Sequence, residues 1–314
     1  MVQAVDTALQ PADDALLVAC SGGADSLALA AGARHVAARR GLTCRAAVVD
    51  HGLQPGSAAV AERAREALTA LGCTDVAVLA VRVATSGGKG PEAAAREARY
   101  AALHAEARRG RDAGPPATVL LGHTRDDQAE NVLLGLARGS GTRSLAGMAS
   151  RSGSLVRPLL GLTRATTEQA CRELGLDPWQ DPQNQDRAFT RVRVRHTVLP
   201  QLEAELGPGV AAALARTARL AREDSDLLDA LAAEADPGTE TLGCAVLAAL
   251  PPALRHRVLR RWLLARGSAD LGLDHVLAVE QLVLAWHGQR AVPVPGGAVT
   301  RRGGELLWQA VARG

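Results

Sequence analysis

Residues Ser21-Gly22-Gly23-Ala24-Asp25-Ser26 place two glycines, two hydroxyls and a carboxylate within six positions. Glycine lets a backbone approach a ligand closely, and a helix start offers unpaired N–H groups to an anion. Ser21 and Ser26 add hydroxyl donors. Asp25 is out of place beside a phosphate unless a metal cation bridges the two. Read alone, the hexapeptide also fits a glycine turn with Asp25 or Ser26 as a helix cap. Its flanks favour a nucleotide phosphate site. The apolar run Ala15–Cys20 reads as a buried strand and the alanine-rich stretch Leu27–Arg40 as a helix.

A second chemistry-bearing stretch is Gly122-His123-Thr124-Arg125-Asp126-Asp127-Gln128-Ala129-Glu130-Asn131. On a helix Asp127 and Glu130 share a face, as do Asp126 and Glu130. Three carboxylates together could bind a metal, an ammonium group, or both. Acids in a first helical turn also simply favour the helix dipole, and Asp126 could cap. A third stretch runs from the turn-rich Asp181–Arg187 into Phe189-Thr190-Arg191-Val192-Arg193-Val194-Arg195-His196. The Arg/Val alternation predicts a strand with one charged face, suited to phosphates or carboxylates through the planar guanidinium fork. Farther on, Thr241–Ala269 carries Arg255, Arg257, Arg260, Arg261 and Arg266 without an acid, the electrostatic footprint of a polyanion site. Lys89, the only lysine, lies in the Gly87–Gly90 loop, where it could approach a phosphate.

The elements that must position these groups alternate through the first half. Strands are expected at Ala15–Cys20, Thr43–Asp50, Asp75–Val83 and Ala117–His123, with a fifth at Leu155–Leu160. Helices are expected at Leu27–Arg40, Ser57–Leu71, Glu92–Arg109, Asp126–Arg138 and Thr166–Leu174. This rhythm predicts an α/β fold, a doubly wound and mainly parallel sheet with helices on both faces. Ligands then sit beyond the carboxyl ends of the strands, where Ser21–Ser26, Asp50-His51-Gly52 and His123–Asp127 converge. After Pro200 helices dominate: Leu202–Asp236 as one helix or two broken near Gly207-Pro208-Gly209, then Pro251–Ala265 and Leu273–Trp286. A short β-like tail follows at Gly297–Arg301 and Glu305–Trp308. The expected division is 1–205 and 206–314, the second part smaller and mainly helical.

Composition sets the class. The chain has 314 residues, 47% hydrophobic and 22% charged, which describes an ordinary globular protein large enough for two cores. A net charge of +3 permits an RNA partner without demanding one. The five cysteines are scattered without a CxxC pair, which argues against zinc, an iron–sulfur cluster or a disulfide framework. Reduced cysteines, no basic-plus-apolar leader in Met1–Ala15 and no apolar stretch of membrane-span length predict a cytoplasmic protein without a membrane partner.

Ser-Gly-Gly-x-Asp-Ser after a first strand resembles the PP-loop of ATP pyrophosphatases, which cleave ATP between its α and β phosphates and adenylate a substrate. Four further stretches resemble the bacterial tRNA(Ile)-lysidine synthases. They are Val49-Asp50-His51-Gly52-Leu53, Glu92–Tyr100, Gly122–Asn131 running into Arg138–Gly141, and Trp179-Gln180-Asp181-Pro182 running to Leu199-Pro200. The resemblance spans nearly all of 15–205 and continues more weakly to Pro295-Gly296-Gly297.

That resemblance implies a PP-loop, adenine nucleotide hydrolase-like fold and a reaction in two steps. The C2 oxygen of the wobble cytidine of a CAU-anticodon tRNA(Ile) attacks the ATP α-phosphorus and releases pyrophosphate. The ε-amine of L-lysine then attacks C2 and displaces AMP, leaving lysidine. By the same resemblance Ser21, Gly22, Gly23, Ala24 and Ser26 cradle phosphates and Asp25 holds Mg²⁺. Val49, Asp50, His51, Gly122 and His123 surround the nucleotide. Asp127, Glu130 and Arg195 take the lysine, with Asp25, Asp127 and Arg195 as the catalytic set. RNA contacts are expected from Arg191, Arg193, Arg257, Arg260 and Arg261, and a homodimer is compatible with the chain.

Three departures accompany the resemblance. Thr124 replaces a second histidine often found after Gly-His, and Val192 stands where an asparagine commonly follows the first arginine. The extra C-terminal domain of longer members is missing, which leaves 207–314 to dock the tRNA. Competing readings are a tRNA thiolase, which typically needs paired cysteines, an amidating or NAD synthetase, and a nucleotide-binding module without catalysis. The module would not need the acids at Asp126, Asp127 and Glu130.

Overall fold

The computed structural model describes residues 1–52, 56–81, 91–110, 114–139 and 141–310, the side chains of 91–93 excepted. Leu53, Arg82, Val83, the Gly87–Gly90 loop with Lys89, the Glu92 side chain and Ser140 lie outside the described residues. In chain order the elements are α1 (Val2–Ala8), β1 (Ala15–Cys20), α2 (Ala24–Arg40), β2 (Thr43–Asp50), α3 (Ser57–Ala70), β3 (Val76–Ala80), α4 (Pro91–Arg108), β4 (Thr118–Leu121), α5 (Arg125–Ala137) and α6 (Thr142–Leu145). Then come β5 (Arg151–Ser152), β6 (Leu155–Val156), α7 (Arg164–Glu173), α8 (Thr190–Arg193), α9 (Leu199–Leu206), α10 (Val210–Ala235), β7 (Leu242–Gly243), α11 (Cys244–Ala249), α12 (Pro252–Ala265), α13 (Leu273–Leu284), β8 (Val292–Val294), β9 (Gly297–Arg302) and β10 (Glu305–Ala310). The chain divides into two compact units, 1–134 with 147–216, and 135–146 with 217 onward. The unit boundaries fall at 134/135, 146/147 and 216/217, whereas the sequence divides the chain at 205/206. Gly207-Pro208-Gly209 does separate α9 from α10, but α10 then runs unbroken through the division.

In the first unit six strands form one sheet in the order β3-β2-β1-β4-β6-β5. All neighbours are parallel except β5 and β6. β1 is buried along its whole length because it lies between β2 and β4, with Val18 opposite Ala46 on one side and Leu120 on the other. Strand side chains alternate faces, so β1 feeds two cores. Leu16, Val18 and Cys20 pack with α2, α3 and Cys171 of α7, whereas Ala15, Leu17 and Ala19 pack with Leu103 and Ala107 of α4. The chain reverses direction across the sheet after β3, returning through α4 to place β4 on the free side of β1. The carboxyl ends of β1 and β4 therefore flank the switch point, the usual ligand position in such sheets.

Three expectations are corrected. Leu155–Leu160 yields only the two-residue β6, since Arg157 leaves the strand and donates to the Ala149 carbonyl. Arg191–His196 is helical, as described below. The first fourteen residues, for which the sequence predicts no element, contain α1, whose Val5 is fully buried and whose Asp6 pairs with Arg39 and Arg40 at the end of α2.

In the second unit α10–α13 surround a core built on Trp262, Leu259, Leu263, Val279 and Leu282. Its β-like tail is a four-stranded antiparallel sheet, β7-β10-β9-β8, whose Val299 and Leu306 enter that core. One ion pair is buried here. Arg255 Nε donates to Glu280 Oε1 at 2.7 Å, and His256 Nε2 lies 3.0 Å from the same oxygen. Removing one partner of a buried pair strands the other charge. Arg255→Ala should therefore lower unfolding stability by about 3–5 kcal/mol in urea titrations, while Arg255→Met with Glu280→Leu should recover most of the loss.

Candidate active site

The Ser21–Ser26 loop is the direct continuation of β1 into α2. Gly22 has a φ of +82°, which favours glycine, and a Cβ there would also crowd Ala64 Cβ at 3.2 Å. The Trp179 N–H donates to the Gly22 carbonyl at 2.9 Å, which ties the 179–186 loop to the turn. The Ser26 hydroxyl accepts from Ser21 N–H at 3.1 Å and donates to the Gly23 carbonyl at 2.9 Å. Ser26 is thus a buried brace within the loop, whereas Ser21 is exposed at its rim. Gly23 is the N-cap of α2, and the first N–H groups of the helix have no intrahelical acceptor.

Gly122 brings the β4–α5 loop against this turn. A Cβ on it would stand 3.1 Å from the carbonyl carbon and oxygen of Asp25 and from Ser26 Cα. At the start of α5, Asp127 reaches back in the manner of a capping box. Its Oδ2 accepts from Thr124 N–H at 2.8 Å and from Thr124 Oγ1 at 3.1 Å. Thr124, the residue that departs from the family pattern, is fully buried and aims this carboxylate. Asp126 Oδ2 instead accepts from Arg164 N–H at 2.9 Å, so this acid holds the first residue of α7 rather than an open site.

Asp25, Asp127 and Glu130 converge, and three arginines enter among them. Thr167 Oγ1 donates to Asp25 Oδ1. Arg164 Nε lies 3.6 Å from Asp25 Oδ2, its Nη2 3.2 Å from Asp127 Oδ1, and its Nη1 3.7 Å from Glu130 Oε1. Glu130 is 0% exposed, and its oxygens accept Arg191 Nε at 2.8 Å and Arg195 Nε at 2.7 Å. Burial pushes the Asp25 carboxyl above the ordinary carboxylate range, against the pull of Thr167 and Arg164. Burial also opposes charge on Asp127, but Arg164 and the Thr124 N–H outweigh it and hold Asp127 below that range.

Arg191 and Arg195 reach one carboxylate because their segment is helical. α8 passes through a π turn, Val194–Val198, into α9. Helical spacing by four puts both guanidiniums on one face, while Val192 and Val194 are buried. The Arg/Val alternation predicted a strand because buried and charged positions alternate locally. Glu130, sixty residues earlier, decides otherwise. Val192, the second departure, occupies a buried apolar position.

Two histidines, His51 after β2 and His123 after β4, lie at the carboxyl ends of the strands. His51 Nδ1 and His123 Nδ1 are buried without a hydrogen-bond partner. Burial, with Arg99 nearby, pushes His51 below its ordinary value, and burial pushes His123 down to about 4. Both are neutral at pH 7. Arg164 and Thr167 carry no signal in the local sequence, where the helix was expected to begin only at Thr166.

The RNA candidates have partners within the chain. Arg193 donates to the Arg187 and Ala188 carbonyls and to Thr190 Oγ1. Arg257 pairs with Asp229 at 3.0 Å, Arg260 donates to the Leu271 carbonyl and Arg261 lies 3.5 Å from Asp236. In the acid-free segment 241–269, Arg255, Arg257 and Arg261 thus meet acids from other elements, while Arg260 and Arg266 donate to backbone carbonyls, which corrects the one-sided reading. Arg193 and Arg261 remain exposed.

Fold and loop together define a PP-loop adenylating domain. Residues 2–202 match the PP-loop domain family, and residues 242–307 match the TilS substrate binding domain. The chain is 54% identical to the tRNA(Ile)-lysidine synthase of Leifsonia xyli subsp. xyli, covering 93% of this chain and 89% of that one. It is 52% identical to the enzyme of the same name from Thermobifida fusca, covering 93% and 90%. The chain belongs to the tRNA(Ile)-lysidine synthase family. Among solved structures, the U34-tRNA thiolase NcsA of Methanococcus maripaludis shares the fold, with a TM-score of 0.56 and 16% identity over 70% of this chain and 78% of that one.

Gly122→Ala drives a methyl into backbone, so unfolding stability should fall by about 1–3 kcal/mol in denaturant titrations, with ATP affinity falling alongside. His123 should titrate by NMR near pH 4. Its unfolded imidazole takes a proton near 6.5. The unfolded state therefore binds more protons between these values, and stability should rise with pH from about 4 to 6.5 and then level. Replacing His123 with Asn should flatten that rise in thermal midpoints.

Proposed function

We propose that the protein uses ATP to join L-lysine to C2 of the wobble cytidine of CAU-anticodon tRNA(Ile), releasing pyrophosphate and AMP and forming lysidine. The convergence of Asp25 from the PP-loop with Asp127 from α5 carries this reading. It sets an acid suited to a phosphate-bound cation beside an acid suited to an amine. Family membership supports the ATP chemistry and the tRNA substrate.

The N–H groups at the start of α2 and the Ser21 hydroxyl would hold phosphate oxygens, with Gly22 and Gly23 allowing close approach. Val49–His51 and Gly122-His123 would surround the adenosine, whose polar edge suits the unpartnered His51 and His123 nitrogens. Among the described residues no group of three or more His, Cys, Asp or Glu side chains could hold a metal by itself. Mg²⁺ shared with phosphates needs only one or two carboxylates, and Asp25 Oδ2, beyond hydrogen-bond length from Arg164, fits. The ion would neutralise charge growing on the departing pyrophosphate.

Asp127, ionised and rigidly aimed by Thr124, would accept an N–H of the lysine ε-amine and orient it toward C2. Glu130 is saturated by Arg191 and Arg195. Its part would be to hold Arg195 beside Asp127, where Arg195 Nη2 lies 3.4 Å from Oδ1. RNA docking would fall to the second unit and to exposed arginines such as Arg193 and Arg261. Among the described residues no helix is long and apolar enough to cross a membrane.

Protein, Mg²⁺, ATP, labelled lysine and a CAU-anticodon tRNA(Ile) transcript should yield labelled RNA and AMP. No label in RNA from a folded, ATP-binding protein sinks the reading. Asp25→Asn should slow adenylation about 100-fold or more. Asp127→Asn should leave adenylated RNA detectable while raising the KM for lysine about 10-fold or more. Equal loss of ATP binding in both variants contradicts this division of roles.

A further inference from the structure

The six oxygens of Asp25, Asp127 and Glu130 are not held alike. Asp25 Oδ1 takes the Thr167 hydroxyl, Asp127 Oδ2 takes two Thr124 donors, and both Glu130 oxygens take guanidinium N–H groups at 2.7–3.1 Å. Asp25 Oδ2 and Asp127 Oδ1 are different. The first meets Arg164 at 3.6 Å, and the second meets Arg164 at 3.2 Å and Arg195 at 3.4 Å. These two loosely held oxygens share one cation, Arg164. Its side chain is about a quarter exposed and enters from α7, an element that carries neither acid.

We infer that Arg164 is a resident cation of the amine subsite, a positioning residue that neutralises Asp127 and yields Oδ1 to the incoming lysine amine. This rests on the reading of Asp127 as the lysine acid. Asp25, Asp127 and Glu130 already face three arginines, so a further cation reaching Asp127 Oδ1 must displace or outcompete one already there. Arg191 and Arg195 are fixed on buried Glu130 by short, charge-assisted bonds. Arg164 holds its carboxylates by the longer contacts, and its partial exposure gives it somewhere to go. Its backbone N–H stays on Asp126, so the exchange needs only a side-chain movement and α7 keeps its place. The arrangement also discriminates. A ligand without a cationic or strongly donating amine gains nothing at Asp127 that Arg164 does not already supply.

A guanidinium at about 3 Å repels a second cation and occupies its acceptor, so removing it strengthens amine binding. Equilibrium dialysis of labelled lysine against the full chain, with Mg²⁺ and a non-hydrolysable ATP analogue, measures this without turnover. Arg164→Gln should lower the lysine Kd, and the lysine KM in the tRNA assay, by about threefold or more, with kcat moving less than KM. Arg164→Lys, which restores a cation, should return both to within about twofold of wild type. An unchanged or weakened lysine Kd in Arg164→Gln overturns the proposal. A second measurement uses the wild-type chain and stands even where Arg164→Gln does not fold. Hydrogen exchange at the Arg164 guanidinium, followed by ¹⁵N NMR, should quicken when lysine is added, and unaltered exchange at saturating lysine overturns the proposal. Failure of the ligase reading is separable, because it appears as wild-type lysine binding with no transfer to tRNA.

Discussion

Glu130 is a carboxylate removed completely from water, and the site's geometry follows from the need to compensate it. Such a charge is tolerated in a protein interior only when paired and hydrogen-bonded. Arg191 and Arg195 do both, binding the α8–α9 segment to α5 across some sixty residues of chain. Because α5 is thereby held, Asp127 one turn earlier is held too. Thr124 completes the restraint by filling the other Asp127 oxygen. Asp127 is thus aimed by Thr124 directly and by Arg191 and Arg195 through Glu130.

A second constraint is steric. The β4–α5 loop approaches the PP-loop so closely at Gly122 that a Cβ there would stand only 3.1 Å from backbone atoms of Asp25 and Ser26. This contact sets the phosphate loop and the carboxylate loop side by side at the carboxyl ends of adjacent strands. The π turn at Val194–Val198 has a comparable effect on the arginine segment. Such turns shift the helical phase locally and often mark functional sites. Here the π turn itself carries Arg195 and joins α8, which carries Arg191, to α9. Val192 and Val194 remain buried while Arg191 and Arg195 share an acid.

The arginines of the second unit show how misleading local charge can be. Arg255 is buried against Glu280, Arg257 reaches Asp229, and Arg266 stacks on Trp262 while donating to the Thr239 and Glu240 carbonyls. In the sequence these residues form a one-sided positive run. In the fold several of them are structural cross-links.

What the sequence determined by itself was the order and kind of the main elements, the phosphate loop and the identity of the acids. Each of these is written in contiguous residues: the apolar run of β1, the glycine pair before α2, the alternation of strand and helix. Even the two-helix break at Gly207-Pro208-Gly209 was marked by its residue types. Tertiary structure alone decided which oxygens are held tightly and which loosely. It assigned Asp126 to α7, saturated Glu130, made a helix of the Arg/Val alternation and brought Arg164 and Thr167 to Asp25. The physical reason is that ion pairing and burial depend on distances between residues remote in the chain, and no local period or motif encodes them.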